Sequence, residues 1–252
     1  MSGPAAGLYV VSDVHGHLGD LCRGLEAAGL TDEHGSWTGG EAELWVLGDL
    51  MDRGPDGIGV LDLVMSLQRQ APDSVHVLMG NHECLAVGYK LFPDTRFGEV
   101  WALNGGRHSD QEALTDEQVA WMRALPVMGR VGDFVMMHSD TTAYLSWGTT
   151  VDEVNDTVRT MLEDDDAERH WEVFARLTSR YHFTGGDGAD VAQRLLTAYG
   201  GECLVHGHSI IGSLLQVPSA EVQGPILYAD GLVLAVDGGR YDGGPLLVVK
   251  LD

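Results

Sequence analysis

Asp13, His15, Asp49, Asp52, Arg53, Asn81, His82, His138 and His208 fall in five short blocks, in order along a chain of 252 residues. The blocks are Ser12-Asp13-Val14-His15-Gly16, Gly48-Asp49-Leu50-Met51-Asp52-Arg53-Gly54, Gly80-Asn81-His82-Glu83, a lone His138 and Gly207-His208. A pair of divalent cations about 3.5–4 Å apart clamps the attacking and leaving oxygens of a phosphoryl transfer. Building that pair takes hard oxygens, neutral imidazoles and a carboxylate that bridges. Asp49, one residue beyond Gly48, is the natural bridge, and Asn81 adds an amide oxygen without adding charge. Asp13 and His15 alternate at a strand end, while His138 and His208 complete a second metal. No thiolate is in the set, so Mn, Fe or Zn fits, with Mn²⁺ the first expectation.

The same blocks hold the groups that would act on substrate. His82 adjoins a ligand on a turn and can face the substrate instead. Charged near neutral pH by a carboxylate partner, it would serve as general acid for the leaving alkoxide, and Asp52 is placed to orient it. The planar fork of Arg53 can hold two phosphate oxygens at once. Taken singly, an Asp-x-His or a Gly-Asp is more often a turn than a ligand. Gly-Asp-x-x-Asp-Arg-Gly together with Gly-Asn-His-Glu, each after an apolar run, is what carries the assignment. His34, His76, His108, His170 and His182 have no such context and read as surface or satisfied core. His206 alternates with His208 and is expected to point away from the metals.

The elements that must position these groups follow from the apolar runs. Leu8–Ser12, Leu44–Leu47 and Val75–Met79 read as short buried strands, each ending in a polar block. His17–Gly29 and Asp56–Gln70 read as amphipathic helices. Strand, ligand-bearing turn and helix therefore repeat, with the polar residues at the carboxyl ends of strands, where open α/β sheets place their sites. Phe134–Met137 and Cys203–His206 are strands that deliver His138 and His208. Val151–Arg180 is expected to be mostly helical, Asp190–Tyr199 to be a helix, and Leu232–Val236 with Leu246–Leu251 to form a closing hairpin. Residues 1–252 read as a single α/β domain, two sheets packed face to face with helices outside.

Bulk properties exclude several classes. The net charge of −23 repels nucleic-acid backbones and anionic membranes. A phosphate substrate would then depend on metal ions and a few arginines. Cys22, Cys84 and Cys203 are widely spaced, odd in number and without a Cys-x-x-Cys, which fits a reducing cytosol and small core residues. With no basic leader or long apolar stretch in the sequence, a cytoplasmic protein is expected. The acidic run Glu163-Asp164-Asp165-Asp166 reads as a solvated helix end or loop.

The motifs resemble those of the phosphoprotein phosphatases within the calcineurin-like metallophosphoesterases, bacterial and phage members above all. The likeness rests on Asp13-Val14-His15-Gly16, Gly48 to Gly54, Gly80 to Glu83, Leu125-Pro126 through His138 and Val205-His206-Gly207-His208. Trp101-Ala102-Leu103-Asn104-Gly105-Gly106 and Asp237-Gly238-Gly239 with Tyr241 to Pro245 extend it. It implies a two-sheet sandwich and two metals. Asp13 and His15 would hold the first, Asn81, His138 and His208 the second, with Asp49 between. It further implies in-line attack by a bridging hydroxide with no phosphoenzyme, His82 as acid steadied by Asp52, and Arg53 on the phosphate. A second arginine is expected between the last two histidines. Arg180 is the best match, with Arg159, Arg169, Arg176 and Arg194 as alternatives. Ser139-Asp140 stands where Gly-Gly is usual after the histidine, and position 210 is Ile, so no Gly-His-x-His is present.

The resemblance implies a phosphatase acting on phosphoserine or phosphothreonine in proteins, with phosphotyrosine also open. Its competitor is a symmetrical diadenosine-tetraphosphate hydrolase, a type that commonly carries Gln where this chain has His15. A non-catalytic metal-binding regulator would be expected to lack His82, Asp52 or Arg53, and this chain keeps all three.

Overall fold

Nine short strands are divided between two sheets in the computed structural model, which describes residues 7–251. The first sheet has β1 (Leu8–Val11), β2 (Glu43–Val46) and β3 (Val75–Val77) in parallel, closed by β9 (Val248–Leu251) antiparallel to β1. Its order is β3-β2-β1-β9. The second has order β4-β5-β6-β8-β7, with β4 (Met128–Val131), β5 (Phe134–Met137), β6 (Cys203–His206), β7 (Ile226–Tyr228) and β8 (Val233–Ala235). Strands β5, β6 and β8 run parallel, and β4 and β7 flank them antiparallel.

The strands are apolar on both faces because both faces are covered. Val10, Trp45, Leu47 and Val249 from the first sheet meet Met136, Val205 and Val236 from the second in one buried cluster. Their alternate neighbours Tyr9, Val11, Leu44, Val46, Val135 and Met137 face outward into the larger core under the helices. Parallel pairing demands a crossover, and α1 (Leu18–Ala27) and α2 (Gly57–Gln70) supply the first two. Helix α2 starts where Asp56 accepts the Gly59 amide at 2.8 Å. It buries Val60, Leu61, Val64, Met65 and Leu67.

Two sequence expectations need correction. Leu232–Val236 and Leu246–Leu251 do not form a hairpin, since β8 and β9 lie in different sheets. The hairpin partner of β8 is β7, joined through Ala229, Asp230 and Gly231, all at positive φ. Residues 236–247 instead carry the chain from one sheet to the other across the site. The stretch Val151–Arg180 is mostly helical, as expected, in two helices, α7 (Val151–Glu163) and α8 (Ala167–Leu177), separated at the acidic run, where Asp166 caps α8 through the Glu168 amide at 2.8 Å. Gly80-Asn81-His82-Glu83 is not a free turn: Asn81 and His82 open helix α3 (Asn81–Leu91), so the ligand and its neighbour are fixed by helical geometry. Helices α4 (Phe97–Leu103), α5 (His108–Ala113) and α6 (Asp116–Arg123), and strands β4 and β7, were not legible as elements; α9 is Gly188–Tyr199 and α10 Ile211–Leu215.

Candidate active site

The ends of β1, β2 and β3 are laced together before any side chain is considered. The amides of Asp13, His15 and Gly16 donate to Gly48, Asp49 and Leu50 carbonyls at 3.1, 2.9 and 2.8 Å. The Glu83 carboxylate, buried at the start of α3, accepts from the amides of Asp49, Leu50 and Gly80 at 2.7–2.8 Å. Two close approaches exclude larger residues. A Cβ on Gly48, whose φ is +94°, would sit 2.4 Å from the Gly80 nitrogen. One on Gly207 would sit 1.9 Å from Ser12 Oγ and 2.2 Å from Asp13 Oδ2. The lacing also strains the backbone. Asp13, His15, Asp49, Asp52, Arg53 and His208 all have left-handed φ between +43° and +66°. Such conformations cost about 1–3 kcal/mol each and cluster where geometry serves function.

Four histidines converge here, all buried, and each is held from behind. His15 Nδ1 donates to Met51 O at 3.0 Å, His138 Nδ1 to Leu47 O at 2.8 Å, and His208 Nε2 to Thr178 O at 3.1 Å. A carbonyl only accepts, so the proton lies on that nitrogen and the other nitrogen presents a lone pair to the site. His82 differs: its Nδ1 lies 2.8 Å from Asp52 Oδ2, a carboxylate. Asp52 in turn accepts from Trp101 Nε1 at 3.0 Å.

Asp13, Asp49, His138 and His208 each bring one ligand atom within 4.8 Å of the others, and His15, Asp49 and His82 form a second such group. Asp49 belongs to both. Asp13 thus gathers with the residues that the sequence analysis gave to the second metal. Asn81 Oδ1 stands 2.9 Å from His138 Nε2. With Nδ1 already donating to Leu47, both atoms are acceptors and no proton joins them, an arrangement a cation would satisfy. Asp237, buried beside Asp13 and Asp49, leaves Oδ2 without a partner among the described residues while Oδ1 accepts the Gly239 amide at 2.8 Å. Burial, then the Asp13 charge, pushes both Asp49 and Asp237 well above the usual carboxylate range. The donor set therefore fits divalent cations.

The cationic side of the site is Arg53 and Arg180. Arg53 Nε donates to Asn104 O at 3.3 Å, Nη1 to His15 Nε2 at 3.2 Å and Nη2 to His82 Nε2 at 3.1 Å. The ring of Tyr241 covers the guanidinium 3.8 Å from its centroid and meets His15 edge-on. Asp20 of α1 fixes the Tyr241 turn through Arg240 Nε at 2.6 Å. Arg180, half-buried after α8, lies close enough for its charge to lower both His82 and His208. Of its rivals, Arg159, Arg169 and Arg176 pair with Asp156, Asp164 and Glu172, and Arg194 is exposed.

His82 departs from its expected charge state. Burial, Arg53, His138 and Arg180 hold it well below the ordinary histidine value, while burial raises Asp52 to about 7. The hydrogen bonding agrees, since Nε2 accepts from Arg53 and so carries no proton in this arrangement. His206 points away, to the Tyr228 hydroxyl at 2.8 Å. Glu83, Trp101, Asp140, Asp237 and Tyr241 were given no role by sequence reasoning. Glu83, Trp101, Asp237 and Tyr241 lie inside quoted motifs, which was the available signal.

A model of the calcineurin-like phosphoesterase family matches residues 7–212. The chain belongs to that family. Proteins similar to it carry different names. A symmetrical bis(5'-nucleosyl)-tetraphosphatase of Psychromonas ingrahamii is 32% identical over 143 residues, 52% of this chain and 43% of that protein. The Shewanella-like protein phosphatase 2 of Arabidopsis thaliana is 31% identical over 102 residues, 38% of this chain and 26% of that one. The chain thus spans less than half the length of these two curated relatives. Among solved structures, the cold-active protein-tyrosine phosphatase of a psychrophilic Shewanella superposes with a TM-score of 0.69 at 24% identity, over 97% of this chain and 76% of that one. This last likeness establishes the fold. Among the described residues, no helix is long and apolar enough to cross a membrane.

Proposed function

We propose that this chain acts as one catalytic domain, a metal-dependent phosphomonoesterase that removes phosphate from serine and threonine side chains of proteins. The observation that carries the reading is the pair of side-chain groups sharing Asp49, with the Arg53 fork set between His15 and His82. Asp13, His15, Asp49, Asn81, His138 and His208 would hold two divalent cations, Mn²⁺ first and Fe or Zn as alternatives. Bound there, they would supply a nucleophile from water at neutral pH and neutralise charge on the phosphoryl oxygens.

The chain's own residues do the remaining work. Arg53 and Arg180 hold the phosphate, with Tyr241 stacked on Arg53 to keep the fork aimed inward. An arriving phosphate dianion offsets the two guanidinium charges that depress His82 and draws Arg53 away from Nε2. Proton uptake at Nε2 then accompanies binding, and His82, steadied by Asp52, donates that proton to the leaving alkoxide. His15, where dinucleotide hydrolases commonly carry Gln, and the Arabidopsis likeness support a protein substrate.

The Psychromonas likeness favours a second reading, symmetrical cleavage of diadenosine tetraphosphate. The first substrate is a phosphomonoester and the second is cleaved at a phosphoanhydride, and the net charge of −23 disfavours nucleic acid for both readings. The test is Mn²⁺-supported turnover on a phosphoserine protein, p-nitrophenyl phosphate and diadenosine tetraphosphate. Higher kcat/KM on the phosphoprotein is expected; preference for the dinucleotide would replace the first reading with the second.

A further inference from the structure

Asp140 is fully buried, two residues past His138, at a position where the motif it resembles has glycine. Its side chain touches two loops that are also joined by His208 Nε2, which donates to Thr178 O at 3.1 Å. Oδ2 accepts the Tyr181 amide at 2.7 Å, and Oδ1 accepts the Ser209 hydroxyl at 2.5 Å. Its backbone carbonyl takes the His182 amide at 3.0 Å, and His182 Nδ1 accepts the Thr142 amide at 3.0 Å. The segment from Thr178 to His182 is thereby fastened to residues 140–142. Tyr181 is held at a left-handed φ of +68°, a conformation a tyrosine keeps only when its surroundings impose it.

Between Thr178 and Tyr181 stands Arg180. Among the described residues, no hydrogen bond or ion pair holds its guanidinium, in contrast to Arg53, whose fork and Nε are bonded and whose face is stacked. The place of Arg180 is accordingly set by its backbone, anchored on one side by α8 and the bond from His208 to the Thr178 carbonyl, and on the other by Asp140. We propose that Asp140 is a positioning residue for Arg180, fixing where the second phosphate-binding arginine stands. This rests on the reading of Arg180 as a phosphate ligand.

The test is a double-mutant cycle on the Mn²⁺-loaded protein with p-nitrophenyl phosphate, together with inhibition by inorganic phosphate. Asp140→Asn keeps the shape and one acceptor oxygen. It is expected to lower kcat/KM about tenfold, chiefly through KM, and to weaken phosphate inhibition in parallel, with bound Mn²⁺ unchanged. In an Arg180→Ala background the same substitution should cost no more than about twofold, because the group it positions is already gone. Ser209→Ala removes the other hydrogen bond and should leave kcat/KM within about twofold. Additive losses in the double mutant, or a Ser209→Ala loss as large as that of Asp140→Asn, would overturn the positioning role while leaving Arg180 as a ligand. An Arg180→Ala protein with undiminished kcat/KM would instead defeat the reading of Arg180, and this inference with it.

Discussion

The two sheets contribute to the site in different ways. On the first, Asp13, His15, Asp49, Asp52, Arg53, Asn81 and His82 sit within seven residues of a strand end, and their turns bond to one another. On the second, His138 and His208 are held by partners from elsewhere, and the backbone that carries Arg180 is fastened through Asp140. His138 leans on Leu47 of the first sheet, and the His208 amide reaches Asp13 Oδ2 at 2.8 Å, 195 residues away. Arg180 depends on Asp140. The first half is a local framework; the second is a set of groups docked onto it. A change in the first half should therefore register in the chemistry, and a change at the junction should register in how well cations are held.

Asp49 belongs to both groups of metal-ligating side chains, so it gives the largest expected effect. Asp49→Asn removes the carboxylate charge shared by the two groups while keeping one oxygen that can accept the His82 amide, 2.9 Å from Asp49 Oδ1. Bound metal by elemental analysis and turnover should disappear together, a loss beyond the ~10²–10⁴-fold typical of removing one proton-transfer group. A variant retaining two ions would take away the bridging role.

His82→Asn isolates the framework's chemical group. Its ring makes no carbonyl bond of the kind that fixes His15, His138 and His208, and its partner is the Asp52 carboxylate. Metal content should be unchanged while kcat falls by about 10²–10⁴-fold. Near-normal kcat would remove His82 from proton transfer, and loss of metal would make it a ligand like the other three.

The junction is tested by Gly207→Ala. The new methyl would overlap Ser12 Oγ and Asp13 Oδ2, where the second sheet's loop rests on the first. Mn²⁺ affinity measured by calorimetry should drop by about 10–100-fold, the scale seen when the groups supporting ligands are disturbed. Saturating Mn²⁺ should restore most of kcat. If kcat stayed low at saturation with affinity intact, the junction would be part of the chemistry and the contrast between the halves would fail.

This contrast also explains what the sequence made legible. Strands β1, β5 and β6 and the blocks after β1, β2 and β3 could be read because apolar run, glycine and ligand are adjacent, so a local pattern encodes a local structure. The false hairpin of Leu232–Val236 and Leu246–Leu251 shows the limit: both runs were found, but which sheet each joins is decided by pairing with β6 and β1, far away in the chain. Asp140 and Asp237 escaped for the same reason. Their roles lie in contacts with Tyr181, Ser209, Asp13 and Asp49, and no spacing announces them. For His82 the carboxylate neighbour is visible in sequence, whereas the burial and the approach of Arg53, His138 and Arg180 that lower its pKa are not.

The smallest expected effect comes from a residue two contacts from the substrate. Trp101 Nε1 donates to Asp52 Oδ1, and its ring is buried against Gly106, where a Cβ would fall 2.1 Å from it. Trp101→Phe keeps most of the apolar volume and deletes the donor, leaving Asp52 with one fewer hydrogen bond. A bond to a charged group is worth about 1.5–3 kcal/mol, but Asp52 retains His82, so only part of that should reach the transition state. We expect kcat to fall by no more than about tenfold, with metal content unchanged and KM nearly constant, because neither Arg53 nor the cation-holding groups lose a partner. A loss that appeared in KM instead would mean that the ring acts by shaping the Asn104-Gly105 turn that holds Arg53. Trp101 would then belong to phosphate binding and not to the His82–Asp52 pair.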